Sequence, residues 1–174
     1  MSYLNVSLCS LRGRVHHTIS DLYTYEEVRQ SRYHIKMLTG DFYTYELKAE
    51  LSGGSPHCRL CSSAYQNRES ETDQNYIENI SHIIVICSAL DDIRQKILSE
   101  ITQICLNIKY LDIQSITLNE ETMTQFILEP SSLNLQSRVN INDPILPEII
   151  RKSRNLCYAL SKRRMELLKL KENI

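Results

Sequence analysis

A mostly α-helical fold is what the sequence predicts, on three observations. Gly and Pro number only four each in 174 residues and Trp is absent, while Ile, Leu, Glu, Lys and Arg are plentiful. Such a chain has few of the turn residues of an all-β fold and many good helix formers. Apolar residues recur at three- and four-residue intervals in several segments, which is the helical period. Four residues that can ligate a metal, Cys58, Cys61, His82 and Cys87, fall as two close pairs, a pattern that organises a small domain around one metal ion.

With 42% hydrophobic and 24% charged residues, the chain suits one globular domain with appendages. The expected division is a tail at 1–20, a helical metal-binding domain at 21–110 with a polar loop at 62–81, a short helix and linker at 111–142, and a basic amphipathic helix at 143–174. The start of the chain lacks the basic and apolar regions of a signal peptide. The longest apolar run, Ile83-Ile84-Val85-Ile86, is far short of the ~20 residues of a membrane helix. An intracellular protein without membrane contact is expected, nucleus or cytoplasm left open, with its six Cys as thiols or ligands rather than disulfides.

The first helix is expected from Thr24 to Leu38. Thr24 and Glu27 have capping-box spacing, Val28, Ile35 and Leu38 share a side, and Gly40 ends the run. Arg29, Arg32 and Lys36 share another side as a basic stripe. A second helix is expected from Tyr45 to Leu51, closed by Gly53-Gly54 as a left-handed cap. Tyr23-Thr24-Tyr25-Glu26 recurs as Tyr43-Thr44-Tyr45-Glu46, which reads as shared helix-entry chemistry rather than a repeat architecture. The stretch 62–81 is polar and without apolar period, an exposed loop. Ser88 reads as an N-cap with Asp91 and Asp92 in the first turn. Leu90, Ile93, Ile97, Ile101, Ile104 and Ile108 then give the strongest amphipathic pattern of the chain. A short helix over Glu120–Leu128 has Asn119 as cap and Pro130 as stop. Asp143-Pro144 is expected to open the last helix, with Ile149, Leu156, Leu160 and Leu167 on its apolar side.

Cys58-Arg59-Leu60-Cys61 is a Cys-x2-Cys pair, whose spacing lets two thiolates face one ion. His82 and Cys87 follow with four residues between them, completing a Cys-Cys-His-Cys set of borderline-soft donors suited to Zn2+. Five steps along an α-helix turn about 500°, leaving His82 and Cys87 about 140° apart, so the helix must end or bend near Val85 to Cys87. Four protein ligands leave no position for water, which points to one structural zinc rather than a catalytic one. Glu78, one turn before His82, is the candidate acceptor for the imidazole's free N–H. The alternative for the same residues is a set of buried thiols and a surface histidine, or a redox Cys-x-x-Cys. His57 beside Cys58 is the other candidate ligand or thiol partner, but adjacent residues point apart. Cys105 and Cys157, each beside apolar residues, read as core.

The run from Tyr33 through Gly40 and Tyr43 to Glu46, then Ser52-Gly53-Gly54-Ser55-Pro56-His57-Cys58-Arg59-Leu60-Cys61, resembles the zinc-binding region after the polymerase domain in reverse transcriptases of non-LTR retrotransposons. His82 to Leu90, with Arg94 beyond, resembles the second half of that motif. The resemblance covers about residues 12–110; Ser88 stands where the family often has Pro, and the loop between ligand pairs is long. It implies a CCHC element helping to hold RNA template or target DNA. The paired aspartates of a polymerase palm and a nuclease carboxylate set are absent from the sequence, so no enzyme activity is expected, and the chain reads as a detached C-terminal piece.

Charge agrees in part. Residues 62–142 carry five Lys or Arg against eleven Asp or Glu, and residues 143–174 carry eight against four. A nucleic-acid-binding accessory module would use Arg29, Arg32, Lys36, Arg59, Arg151, Lys152, Arg154, Lys162, Arg163 and Arg164 on phosphates, and Tyr33 and Tyr43 on bases. The alternative is a protein-interaction module with purely structural zinc, whose apolar helices dock on a partner such as a polymerase domain.

Overall fold

The computed structural model describes residues 24–61, 76–106, 119–130 and 145–173. The expected tail at 1–20, the loop centre at 62–75, the linker at 131–142 and the Asp143-Pro144 cap lie outside these residues. Among the described residues, five α-helices follow in order: α1 (Tyr25–Thr39), α2 (Tyr45–Ser52), α3 (Asp91–Leu106), α4 (Glu120–Leu128) and α5 (Leu146–Glu172). A π-helical turn (His82–Ile86) and a 3-10 turn (Ser88–Leu90) lead into α3. No strand occurs among the described residues; an isolated antiparallel bridge joins His57 and Ile77. None of the described helices is long and apolar enough to cross a membrane.

The helix starts follow local side-chain chemistry. Thr24 Oγ1 accepts from the Glu27 N–H at 3.2 Å, and the Glu27 carboxylate accepts from the Thr24 N–H at 2.9 Å, a complete capping box. Thr44 Oγ1 accepts from the Leu47 N–H at 3.2 Å, so the recurring Tyr-Thr-Tyr-Glu is helix-entry chemistry. Asn119 Oδ1 accepts from the Thr122 N–H at 2.9 Å and opens α4. Gly40 closes α1 at φ 82°, in the left-handed region. Gly53 and Gly54 both have positive φ, 75° and 108°, as the expected cap requires, but the ψ of 176° at Gly53 is extended rather than left-handed helical. The first turn of α5 carries Pro147, three residues past the proline expected to open it.

The buried side of α1 is Ser31, His34, Met37 and Leu38, while Val28 is 51% exposed. The apolar spacing of Val28 with Ile35 therefore named the wrong edge. His34 takes the central place, because a buried imidazole is tolerated when it finds a partner: its Nε2 lies 3.2 Å from the Ile127 carbonyl of α4. Ile97 and Ile101 carry the apolar stripe of α3 into the core as expected, with Leu90 of the preceding 3-10 turn and Leu156 and Leu160 of α5. Cys105 and Cys157 are wholly buried there, and burial pushes the Cys105 thiol up to about 12 and Cys157 higher, which keeps both neutral.

Rather than protruding, α5 packs along α1 and α3. Lys152 pairs with Glu100, and Arg163 lies 3.7 Å from Asp92, so α5 and α3 run antiparallel. Tyr33 meets Tyr158 edge to face at 5.5 Å, and Arg29 lies 4.8 Å over the same Tyr158 ring, seating α1.

Candidate metal centre

The first half of the site is built by backbone pairing. The Cys58 N–H donates to the Tyr76 carbonyl at 2.8 Å and the Glu78 N–H to the Pro56 carbonyl at 2.9 Å. These bonds hold the Cys58–Cys61 turn beside the segment that leads into His82. Asn79 Oδ1 then accepts from the His82 N–H at 2.8 Å and starts the turn that carries the imidazole.

The second half solves the angular problem set by its spacing. The Cys87 N–H donates to the His82 carbonyl at 2.7 Å, a bond that spans five residues instead of four. Such a turn is wider than an α-turn and brings the fifth residue back to the side of the first. Cys87 itself leaves helical geometry at φ −54°, ψ 109°, so the bend falls in the expected place. Ser88 is the first residue of the 3-10 turn, with Cys87 in the N-cap position, and its hydroxyl lies 3.8 Å from Cys61 Sγ. Arg94, almost fully buried, donates from Nε to the Ile84 carbonyl at 2.8 Å and from Nη2 to the Cys87 carbonyl at 2.6 Å, and it pairs with Asp91 at 2.8 Å. Burial lowers the pKa of its guanidinium, against the pull of Asp91.

Cys58, Cys61, His82 and Cys87 are all buried, with their donor atoms within 4.8 Å of one another. Cys58 Sγ lies 3.9 Å from Cys87 Sγ, Cys61 Sγ 3.4 Å from Cys87 Sγ, and Cys61 Sγ 3.6 Å from His82 Nε2. They form one metal-binding cluster. His57 stays outside it, its Nδ1 2.9 Å from Ser55 Oγ. In the absence of a cation, hydrogen bonds among the sulfurs push the Cys58 thiol up and pull Cys61 down. Burial opposes charge on His82, but hydrogen bonds to Cys61 and Cys87 outweigh it and raise the imidazole to about 9.

The direction of the pH dependence follows. Below about pH 9 the metal-free imidazole carries a proton that a bound ion must displace, and the Cys58 thiol carries another. Metal affinity is therefore expected to rise as pH is raised from 6 to 8, with protons released on binding. Competition titrations at both pH values check this, and equal affinities would contradict it.

The remaining candidate residues divide. Arg29, Arg32, Lys36, Arg59, Arg151 and Lys162 are exposed. Arg154 is only 2% exposed and Arg164 7%, so both are withdrawn from any surface contact with phosphate. Lys152 and Arg163 are half-buried and paired with α3 carboxylates. Tyr33 is packed on Tyr158, whereas Tyr43 is exposed. Glu78 does not serve His82: its Oε1 accepts from the Tyr45 N–H at 3.0 Å and from Arg164.

Sequence reasoning missed the roles of Arg94, Arg164 and His34. The signal for Arg94 was a cation in register with Ile97, Ile101 and Cys105, inside the buried stripe of α3. Arg164 sits one turn past Leu160 in the same way. Comparison with protein-family models, with curated proteins and with solved structures finds no match.

Proposed function

We propose that the chain is a zinc-stabilised nucleic-acid-binding accessory module, derived from the C-terminal region of a non-LTR retrotransposon reverse transcriptase and without catalytic residues of its own. The observation that carries this reading is the closed, buried set Cys58, Cys61, His82 and Cys87. With Zn–S near 2.3 Å and Zn–N near 2.0–2.1 Å, a tetrahedron has S···S edges of ~3.8 Å and S···N edges of ~3.5 Å. The separations of 3.9, 3.4 and 3.6 Å lie close to those edges, which supports zinc as the ion. Four protein donors fill its coordination, so its work is structural. Three thiolates and one Zn2+ carry a net negative charge, and the Arg94 guanidinium held on the Cys87 carbonyl offsets it.

The binding surface in this reading is the exposed stripe Arg29, Arg32 and Lys36 on α1, together with the exposed side chains of Tyr43, Arg59 and Lys162. Anisotropy titrations with single-stranded RNA should show affinity that falls steeply with salt. Replacing Arg29, Arg32 and Lys36 together by Ala should flatten the log–log salt slope by about 2, at roughly 0.7 per lost phosphate contact. The helical circular dichroism should stay unchanged. No binding by the parent protein at low salt sinks the nucleic-acid reading. The result would favour the protein-interaction module, for which exposed Leu106 and Leu170 are the apolar contacts.

A further inference from the structure

We infer that the C-terminal half of α5 clamps the metal centre, with Arg164 and Lys171 as positioning residues that set how fast the ion is released. The inference rests on the zinc reading above and adds to it a second layer, supplied from the far end of the chain.

Arg164 is buried over the rings of Phe42 and Tyr45, at 6.0 and 5.5 Å, and pairs with the wholly buried Glu78. Glu78 is fastened at three further points, one on the segment entering Cys58 and two at the start of α2. Its N–H donates to the Pro56 carbonyl at 2.9 Å, its carbonyl accepts from the Glu46 N–H at 3.2 Å, and its carboxylate holds the Tyr45 N–H at 3.0 Å. It thus lies between the strand-like entry to Cys58 and the turn that carries His82. A Glu78 carboxylate deprived of Arg164 is a buried charge without its counter-ion, and its segment must move toward water to relieve it. That movement pulls on both ligand pairs.

Lys171 acts on the other side. Its Nζ donates to the Arg59 carbonyl at 2.7 Å and lies 3.5 Å from the Leu60 carbonyl. Arg59 and Leu60 are the two residues between the paired cysteines. Positions 164 and 171 are two helical turns apart on one face of α5, so a single helix edge holds the segment before His82 and the turn between Cys58 and Cys61. Release of a four-ligand ion proceeds by opening one ligand at a time, and both openings are opposed by α5.

The test is the rate at which the zinc-loaded protein passes its ion to an excess of a chromogenic chelator. Arg164→Met is expected to release zinc at least tenfold faster than the parent protein and Lys171→Met severalfold faster. Lys171→Arg, which keeps a donor, should stay within twofold of the parent. Ile101→Val, a core change nearly three turns along α3, should leave the rate unchanged while lowering the melting temperature, which separates positioning from general stability. Cobalt substitution adds a spectroscopic readout: the ligand-field bands should keep their positions in Lys171→Met and change in intensity. Should Arg164→Met fail to fold, Lys171→Met, a change at an exposed residue, decides alone. Parent-like release from Lys171→Met overturns the clamp while the metal centre stands. Absence of bound zinc in the folded parent protein overturns both.

Discussion

Cys87→Ser, or removal of the ion by a chelator, is expected to unfold the protein. The ligands are not attached to one element: Cys58 and Cys61 come from a turn, His82 from a π-helical turn, and Cys87 from the break that precedes α3. In the metal-free state a few backbone bonds are left to join these segments, and the buried donors have no divalent cation among them. Structural zinc in finger peptides contributes about 10–16 kcal/mol, comparable with the ~5–15 kcal/mol of an entire domain. Far-UV circular dichroism of the chelated protein should lose most of its helical signal, and heating should show no sharp transition. Cys157→Ala, which leaves a cavity but no missing ligand, should keep one zinc and a cooperative melt. A chelated chain with undiminished helicity and a sharp transition would refute the structural role.

The buried pair of Glu78 and Arg164 gives the second large effect. Arg164→Met alone should cost about 3–5 kcal/mol, because it leaves a carboxylate buried with no cation beside it. Glu78→Gln alone should cost a similar ~3–5 kcal/mol by stranding the guanidinium between the Phe42 and Tyr45 rings. Together the two changes remove both charges, and the Gln carbonyl can still accept from the Tyr45 N–H. Urea denaturation of the double variant should therefore recover most of the loss, a strongly non-additive outcome. Additive losses would show that the two residues act separately. Because metal release and stability are different measurements, the clamp and the ion pair are tested independently.

The parts of this structure that were legible in the sequence are those decided within a few residues. The Thr24 and Glu27 capping box, the Asn119 cap and the bend between His82 and Ser88 each follow from chemistry one turn long. The ligand set was legible because soft donors at these spacings have few other uses. What was not legible depends on partners far away in the chain. Glu78 and Arg164 are 86 residues apart, and Glu78 therefore read as a neighbour of His82 instead. Arg154 and Arg164 read as solvated because isolated cations usually are. Nothing close to His34 in the chain marks it as a core residue, because its partner, the Ile127 carbonyl, lies 93 residues on.

The stretch from His82 to Cys87 has one more consequence. In an α-helix the fourth residue along, not the fifth, returns above the first. The pair is thus equivalent to an α-helical His-x3-Cys carrying a single surplus residue, which the backbone absorbs in one wide turn before the chain leaves helical geometry at Cys87. The guanidinium of Arg94 donates to the Ile84 carbonyl inside the wide turn and to the Cys87 carbonyl at its end, which also accepts from the Leu90 N–H at 3.1 Å. One insertion aims the ligand and one cation ties that turn to α3, so ligand register and the approach to the next helix are written into the same short length of chain.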